Sequence, residues 1–210
     1  MTRWYSEKKK EHFYKQAKKD GYRARSAYKL KQINKKFNII KKGDTVLDLG
    51  CAPGGWSQVA KNIVGPNGNV IGVDLLQVKK IKGITFIEGD MRETETIDKI
   101  KKHIEKDEVD TVISDMSPDI SGNYDMDQAR SVYLCMMAFK TCEIFLKPDG
   151  NFICKVFEGK DLDDFLNDIK NRFTTIKRFN PKASRKSSSE IYIIAKNFNL
   201  KNKISKNDKI

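Results

Sequence analysis

Histidine is scarce in this sequence, and its cysteines lack the spacing of a metal site. The chain has two histidines, and its four cysteines form no CxxC pair. A zinc site needs clustered His and Cys ligands, and a Ser-His-Asp or Cys-His hydrolase needs a histidine in its triad. We therefore expect no metal centre and no hydrolase of these types. The cysteines should be reduced and mostly buried as small apolar residues.

Long apolar runs are also missing. No stretch approaches the roughly 20 apolar residues of a membrane span, and the amino-terminal region is rich in lysine rather than apolar. We expect a soluble cytoplasmic protein without a membrane partner, with the mitochondrion or nucleolus as alternatives in a eukaryotic cell. The 210 residues show no internal repeat and no Pro/Gly-rich linker, so we expect one α/β domain and a monomer.

Acidic residues are few at both ends of the chain. Residues 1–42 contain 15 Lys and Arg against three Asp and Glu, and residues 177–210 contain ten against two. Residues 43–176 have the opposite bias, with 16 basic and 23 acidic residues. A lysine-rich composition could explain any one basic run. Two basic ends around an acidic middle are better explained by a polyanionic substrate, which favours a nucleic acid.

The stretch TVLDLGCAPGGW, from Thr45 to Trp56, joins an apolar run to a cluster of small residues. This pattern predicts a buried strand, a tight turn and the start of a helix. In the dinucleotide fingerprint the middle of three glycines lets the backbone touch a pyrophosphate, but Ala52 occupies that position here. S-adenosylmethionine carries no phosphate, so it fits this turn better than NAD does.

Strand and helix patterns alternate along the rest of the chain. Helices are predicted over residues 7–20, 26–37, 57–64, 94–106, 126–146 and 161–173, and further strands over 69–76, 84–90, 109–116, 151–157, 174–180 and 190–198. The last two strands are joined by a loop too short for a crossover helix, so they should be antiparallel. We predict a Rossmann-like α/β fold, with a mostly parallel seven-stranded sheet, one antiparallel strand and helices on both faces.

Ionisable residues stand at the ends of several predicted strands. Asp74 ends the second strand, where nucleotide-binding folds hold ribose hydroxyls. Asp115 ends the fourth strand, Lys155 lies inside the apolar fifth strand, and Glu190 begins the last one. Each could be a structural ion pair or a side chain that reaches solvent. Together, at one edge of one sheet, they favour a functional site.

Five motifs, RSAYKL, DLGCAPGGWSQ, VISDMSPDISG, ICKVFEG and SRKSSSEIYIIA, resemble the FtsJ/RrmJ family of ribose 2′-O-methyltransferases. The resemblance runs from about Tyr22 to Lys196. It implies S-adenosylmethionine as the cofactor and a catalytic tetrad of Lys29, Asp115, Lys155 and Glu190. Ser117-Pro118-Asp119 stands where family members often have Ala-Pro-Asn.

The motifs and the charge pattern together assign two further sets of residues. We predict contacts with the cofactor from Asp48, Gly50, Pro53, Gly54, Gly55, Trp56, Asp74, Leu75, Asp90, Met91 and Asp115. We predict contacts with RNA from Arg23, Arg25, Lys35, Lys36 and Arg185. In this scheme residues 1–42 form a basic helical RNA-binding extension, 43–198 the methyltransferase domain, and 199–210 a disordered polar tail.

The reaction implied by the resemblance is methyl transfer to a ribose hydroxyl of RNA, with Lys155 as the proton acceptor. A lysine accepts a proton only as the neutral amine, which burial and a second ammonium favour and carboxylates oppose. A uridine of large-subunit ribosomal RNA is the predicted target, and the tRNA anticodon loop is the alternative. A cofactor-free RNA-binding module would leave the TVLDLGCAPGGW motif unexplained. The Pro-Pro-aromatic loop of amine methyltransferases is absent after Asp115.

Overall fold

A computed structural model describes residues 13–105, 108–185 and 188–199. Helix α1 covers residues 13–19 of this part. The elements that follow are α2 (Ala27–Phe37), β1 (Thr45–Leu49), α3 (Gly55–Val64), β2 (Asn69–Asp74), β3 (Thr85–Glu88), α4 (Thr94–Lys101), β4 (Val109–Ser114), α5 (Tyr124–Phe145), β5 (Leu146–Phe157), α6 (Leu162–Ile169), β6 (Phe173–Phe179) and β7 (Glu190–Phe198). Within the described ranges, no helix has the length and apolar character to cross a bilayer.

The seven strands form one sheet in the order β3-β2-β1-β4-β5-β7-β6. Neighbours from β3 to β5 are parallel, and β7 is antiparallel to both β5 and β6. The predicted Rossmann-like fold with a mostly parallel seven-stranded sheet is therefore confirmed. The antiparallel strand does not lie at the edge of the sheet, because β7 enters between β5 and β6.

Helices cover both faces of the sheet, as predicted. On one face α2 and α3 bury Leu30, Ile33 and Val59 against Val46 of β1. On the other face α4, α5 and α6 pack against side chains such as Leu47 and contribute to the larger core cluster. Because side chains alternate along a strand, β1 supplies both cores, and all of its residues after the first are buried.

The amino-terminal boundary differs from the prediction. The buried face of α2 belongs to the same core cluster as β1, β2 and β7, and the side chain of Asn34 accepts hydrogen bonds from the N–H groups of Ile39 and Ile40. Residues 27–42 are therefore part of the central domain and not a separate extension. The predicted start of the first helix (7–12) and the tail from 200 to 210 lie outside the described residues.

Three boundaries within the domain also differ. Strand β5 begins at Leu146, five residues before the predicted start, and its register against β4 shifts between Val109 and Thr111. Helices α4 and α6 end at Lys101 and Ile169, several residues earlier than their amphipathic patterns suggested. None of these differences moves a strand end that carries a predicted site residue.

Candidate active site

The carboxyl ends of β1, β2, β3 and β4 surround a cavity of about 440 Å³. This volume lies within the range of roughly 300–1,000 Å³ found for small-molecule sites. Ligands of open α/β sheets bind at this edge of the strands. Six of the residues predicted to contact the cofactor line the cavity, namely Gly50, Asp74, Leu75, Asp90, Met91 and Asp115.

The turn after β1 is fixed to β2 at the floor of this cavity. Gly50 has a φ of 68°, and a Cβ atom there would lie 2.2 Å from Cγ of Met116. Only glycine allows the turn and the segment after β4 to approach this closely. One carboxylate oxygen of Asp74 accepts the N–H of Ala52 at 2.8 Å, and the other accepts the N–H of Leu76 at 2.8 Å. The backbone therefore holds the Asp74 carboxylate at the cavity wall.

The other predicted cofactor residues, Asp48, Pro53, Gly54, Gly55 and Trp56, do not line this cavity. The indole N–H of Trp56 donates to the carbonyl of Ser26 at 2.9 Å, and the side chain is buried. Its role in this structure is to join α3 to the segment that begins α2. Sequence reasoning could not separate residues that shape the turn from residues that face a ligand.

Asp48 lies beneath the cavity and not on its wall. Its side chain is fully buried; one oxygen accepts the hydroxyl of Ser57 at 2.5 Å, and the other has no hydrogen-bond partner. Burial raises the pKa of Asp48 to about 7, and the carboxylates of Asp115 and Asp74 add to the shift, although the bond from Ser57 opposes it. Asp48 was predicted to contact the cofactor directly, but in the structure it lies under the turn and does not line the cavity.

Asp90 is paired with an arginine that sequence reasoning missed. Nε of Arg92 lies 2.9 Å from both carboxylate oxygens of Asp90, and the backbone N–H of Arg92 also donates to Asp90. The hydrogen bonds from Arg92 lower the pKa of Asp90. Arg92 and Tyr133 both line the cavity near Asp90. No motif marks either residue, so only their position in space reveals them.

The four residues of the predicted tetrad form two ion pairs beside the cofactor cavity. Nζ of Lys155 donates to the carbonyl of Asp115 at 2.7 Å and lies 3.2 Å from its carboxylate. Nζ of Lys29 lies 2.7 Å from the carboxylate of Glu190. Both lysines are less than 10% exposed. The structure thus brings all four residues together in one site, with both buried lysine side chains paired with a carboxylate.

The register between neighbouring strands brings three of the four tetrad residues to the same place. In the antiparallel pair of β5 and β7, Lys155 lies opposite Tyr192 and Phe157 lies opposite Glu190. Asp115 follows the end of β4, the parallel neighbour of β5. Lys29 reaches the same point from the buried face of α2. Three strand ends and one helix therefore converge on a site that no single segment contains.

Tyr192 connects the two ion pairs, and sequence reasoning missed it. Its hydroxyl donates to the carboxylate of Asp115 at 2.8 Å, and Nζ of Lys29 lies 5.4 Å from its ring centroid. Burial and the carboxylates of Asp115 and Glu190 raise its pKa, so the phenol remains a donor. Burial alone would raise the pKa of Glu190, but Lys29 and Lys155 lower it below its usual value. The sequence did contain a signal for it. Side chains two positions apart on a strand face the same side of the sheet, and Tyr192 follows Glu190 by two positions.

A second cavity, of about 380 Å³, adjoins the tetrad. Lys29 and Glu190 line it together with Arg25 and Arg185, two of the residues predicted to contact RNA. Burial and the positive charge of Arg185 lower the pKa of Arg25. Two arginines that face one cavity repel each other, so an anion there would be stabilised by both.

The other three predicted RNA contacts are placed differently. The guanidinium of Arg23 donates to the backbone carbonyls of Pro53, Lys79 and Lys80, at 3.0, 2.6 and 3.0 Å. It therefore fastens the turn after β1 to residues 79–80, so these backbone carbonyls already occupy the guanidinium that was predicted to contact RNA. Lys36 lies with its Nζ 4.5 Å from the ring centroid of Phe179. Lys35 and Lys36 are on the last turn of α2, away from the tetrad.

The sequence model of the FtsJ-like methyltransferase family matches residues 22–198. The chain belongs to the FtsJ-like methyltransferase family. This confirms the predicted family and the predicted class of enzyme. The FtsJ-like match spans the tetrad, both cavities and every strand of the sheet.

Curated relatives of this FtsJ-like chain are named "Ribosomal RNA large subunit methyltransferase E". The protein of Methanocaldococcus jannaschii is 49% identical over an alignment of 212 positions, which includes 99% of this chain and 86% of the relative. That of Methanosarcina mazei is 47% identical over 190 residues, which cover 90% of this chain and 70% of the relative. These relatives share nearly the whole FtsJ-like domain.

Solved structures also resemble this FtsJ-like domain. A crystal structure from Plasmodium falciparum, named as a ribosomal RNA methyltransferase, has a TM-score of 0.75 and 28% identity and covers 84% of this chain and 98% of its own. Fibrillarin of Aeropyrum pernix, solved with bound S-adenosyl-L-methionine, has a TM-score of 0.56 at 19% identity over 81% of this chain and 76% of its own. The second likeness shows the fold alone.

S-adenosylmethionine is the cofactor of this FtsJ-like chain, as the sequence predicted. The cavity fits it, since Asp74 offers a fixed carboxylate for ribose hydroxyls and Leu75, Leu76 and Met91 offer apolar surface for a flat ring. Alanine instead of glycine at position 52 does not impair binding of this cofactor, because the cofactor has no pyrophosphate that the backbone must approach. The cavity therefore supports the choice of S-adenosylmethionine over NAD.

Replacing Asp74 with alanine is expected to weaken S-adenosylmethionine binding by about 1.5–3 kcal/mol, the usual loss for a hydrogen bond to a charged group. Calorimetric titration of the purified protein measures it. Because Asp74 also accepts two backbone N–H groups, thermal unfolding without cofactor is recorded for each variant. Asp98→Ala, which removes an exposed carboxylate from α4, is the control. Unchanged affinity in Asp74→Ala would mean that the ribose is held elsewhere.

Proposed function

We propose that this protein transfers a methyl group from S-adenosylmethionine to the 2′-hydroxyl of a ribose, on a uridine of large-subunit ribosomal RNA. The observation that carries the proposal is the position of Lys155, whose amine bonds to Asp115 of the cofactor cavity and whose charge acts on Glu190 of the arginine-lined cavity. A group that accepts a proton from the acceptor hydroxyl has to lie within hydrogen-bond reach of that oxygen, close to the point where the methyl group is delivered.

The chain's own residues perform three tasks in this reaction. When bound, S-adenosylmethionine supplies a methyl group already activated by its sulfonium. Lys155 accepts the proton of the ribose hydroxyl at Nζ and orients the oxygen towards the methyl group. The carbonyl and carboxylate of Asp115 hold that amine, and the hydroxyl of Tyr192 holds the carboxylate. Positioning of this kind supplies much of the rate of a bimolecular transfer.

The second ion pair supports the first. Lys29 is buried and paired with Glu190, so its position is fixed, and it adds positive charge near Lys155. Glu190 keeps Lys29 in place. The roles of all four residues remain those that the sequence predicted for the tetrad.

The arginine-lined cavity supports RNA as the substrate. Arg25 and Arg185 stand beside Lys29 at the entrance to the tetrad, where the phosphates next to the target ribose would lie. Guanidinium groups bind phosphate oxygens in a bidentate manner, and a small neutral substrate would need no such pair. This location explains why the two basic ends of the chain flank the cofactor domain in the sequence.

The names of the curated relatives support ribosomal RNA over tRNA. We further propose that the enzyme acts as a monomer in the cytoplasm. Purified enzyme is incubated with labelled S-adenosylmethionine and, separately, with ribosomal RNA and tRNA from a deletion strain. We expect label in the large-subunit RNA, in nucleotides that resist alkaline cleavage because the 2′-oxygen is blocked. Label confined to tRNA would select the anticodon-loop alternative.

Replacing Arg25 and Arg185 together with glutamine is expected to weaken RNA binding without changing S-adenosylmethionine affinity. The slope of log affinity against log salt should become shallower by roughly 0.7–0.9 for each phosphate that the variant no longer neutralises. Filter binding at several salt concentrations measures both the affinity and the slope.

The matched control for this pair is Lys101→Gln with Lys102→Gln. These lysines end α4, and the carbonyl of the next residue, His103, accepts the side chain of Asn69 at the amino end of β2. Both lysines are exposed, and the bond to Asn69 places them at the edge of the sheet opposite the tetrad. Equal losses from both pairs would show attraction through net charge alone, and the arginine-lined cavity would not be the docking site.

A further inference from the structure

Two exposed apolar side chains stand at the entrance to the tetrad. Ile120 is 66% exposed and Tyr124 is 51% exposed. Both line the arginine-lined cavity, together with Lys29 and Glu190. Large apolar side chains that face water next to a reactive site commonly mark a contact with the ligand. The chemistry described so far gives these two residues no task.

The segment that carries them is firmly held. The buried carboxylate of Asp127 accepts the N–H and the hydroxyl of Ser121, at 2.9 and 2.7 Å, and the N–H of Gly122 at 3.3 Å. The hydroxyl of Tyr124 donates to the carbonyl of Glu158. Ile120 and Tyr124 are thus displayed from a fixed loop and the first turn of α5, which prepares a surface before any ligand arrives.

Side chains of two different chemistries line the cavity. Arg25 and Arg185 are charged and suit phosphate, whereas Ile120 and the ring of Tyr124 are apolar. A nucleotide has the same division, since its phosphates and its base project from different parts of the ribose. With the 2′-oxygen at Lys155, the base is only one sugar carbon further away, because C1′ carries the base and adjoins C2′. The base therefore has to lie within this cavity or at its rim.

We propose that Ile120 and the ring of Tyr124 form a base seat, on which the base of the methylated nucleotide stacks. The proposal rests on the function given above and specifies how that site takes its substrate. The base has to be unpaired, because a base within a duplex has no free face to offer. Stacking depends on a face that every base has, so the base seat accepts all four bases. Selection of the target nucleotide then comes from the RNA structure that presents it.

The test is a thermodynamic cycle in which the base seat and the base are removed separately and together. Two versions of a synthetic RNA carry the mapped target nucleotide, one intact and one with an abasic ribose there that retains its 2′-hydroxyl. Wild-type enzyme and Ile120→Ala with Tyr124→Ala are compared on both by kcat/KM. Removing the base is expected to cost wild type roughly 5- to 150-fold in kcat/KM, in line with measured stacking contributions. On intact RNA the kcat/KM of the double variant should fall below that of wild type by a similar factor. On abasic RNA the two enzymes should have nearly the same kcat/KM.

Two single variants separate stacking from structural effects. Tyr124→Phe keeps the ring and loses the bond to Glu158, so it should retain most of the difference in turnover between intact and abasic RNA that the double variant loses. Ile144→Ala removes another exposed apolar side chain at the far end of α5, about 30 Å from Tyr124 at 1.5 Å per residue, and should change nothing.

The outcomes distinguish the base seat from the function on which it rests. An equal loss on intact and abasic RNA would show that Ile120 and Tyr124 do not contact the base, and would overturn the base seat alone. Equal turnover of the two RNAs by wild type would do the same. If wild type methylates the base of the intact RNA, or neither RNA, the proposed function fails and the base seat fails with it.

Discussion

Replacing Lys155 with alanine is expected to lower methyl transfer by roughly 100- to 10,000-fold, the usual range for loss of a general base. Lys155→Arg is expected to be equally inactive, because a guanidinium keeps its proton at any working pH. Affinity for S-adenosylmethionine should change little, since Lys155 does not line the cofactor cavity. Single-turnover transfer with saturating cofactor, together with calorimetric titration of the cofactor, measures both effects.

Lys155→Arg is the variant that distinguishes a base from a residue that only positions the substrate. Lys155→Ala removes the base, the charge and the bond to Asp115 together, whereas Lys155→Arg keeps a cation that can still bond to Asp115. Lys140→Arg, on the exposed side of α5, is the matched control. Near-normal turnover by Lys155→Arg would show that the residue positions the ribose by charge and accepts no proton.

Replacing Asp48 with asparagine is expected to stabilise the cofactor-free protein at neutral pH and to make its stability less dependent on pH. Asp48 keeps its proton up to about pH 7 in the folded protein, whereas an unfolded aspartate releases it near pH 4. Unfolding therefore releases a proton between these values, and the free energy of unfolding falls as pH rises, by about 1.4 kcal/mol per unit. Asparagine has no proton to release and still accepts the hydroxyl of Ser57.

Urea unfolding of both proteins between about pH 5 and pH 8 tests this expectation. Other ionisable groups cancel in the difference, which should grow up to about pH 7 and then level off at roughly 4 kcal/mol. Ser57→Ala is the companion variant. Loss of its hydrogen bond to ionised Asp48 should raise the pKa further and extend the decline to higher pH. A difference between the Asp48→Asn variant and wild type that does not vary with pH would contradict a protonated, buried Asp48.

The tetrad and the cavity could be predicted because parallel strands end at one edge. An acidic residue at the end of a strand can be recognised locally, and the fold then brings Asp74, Asp90 and Asp115 together without further information. Lys155 and Glu190 follow the same logic through β5 and β7. The resemblance to the FtsJ/RrmJ family added Lys29, which sits on a helix and which no strand pattern could have selected.

Two of the residues that sequence reasoning misplaced or missed depend on partners that are distant in the chain. Arg23 bonds to a carbonyl 56 positions away, and Tyr192 bonds to a carboxylate 77 positions away. From the sequence alone, a basic residue in a basic segment is expected to contact RNA. Only its hydrogen-bond partners show that it serves the fold instead. Asp48 belongs to a cofactor motif, but strand alternation turns it towards α3 and away from the ligand.

The proposed reaction places the methyl group on a ribose oxygen. The most direct measurement compares large-subunit RNA carrying the mapped target uridine with the same RNA carrying a 2′-deoxyuridine there. We predict that transfer of labelled methyl from S-adenosylmethionine to the first RNA is complete and that the second receives none at that position. Methylation of the deoxy-substituted nucleotide would place the methyl group on the base and contradict the account.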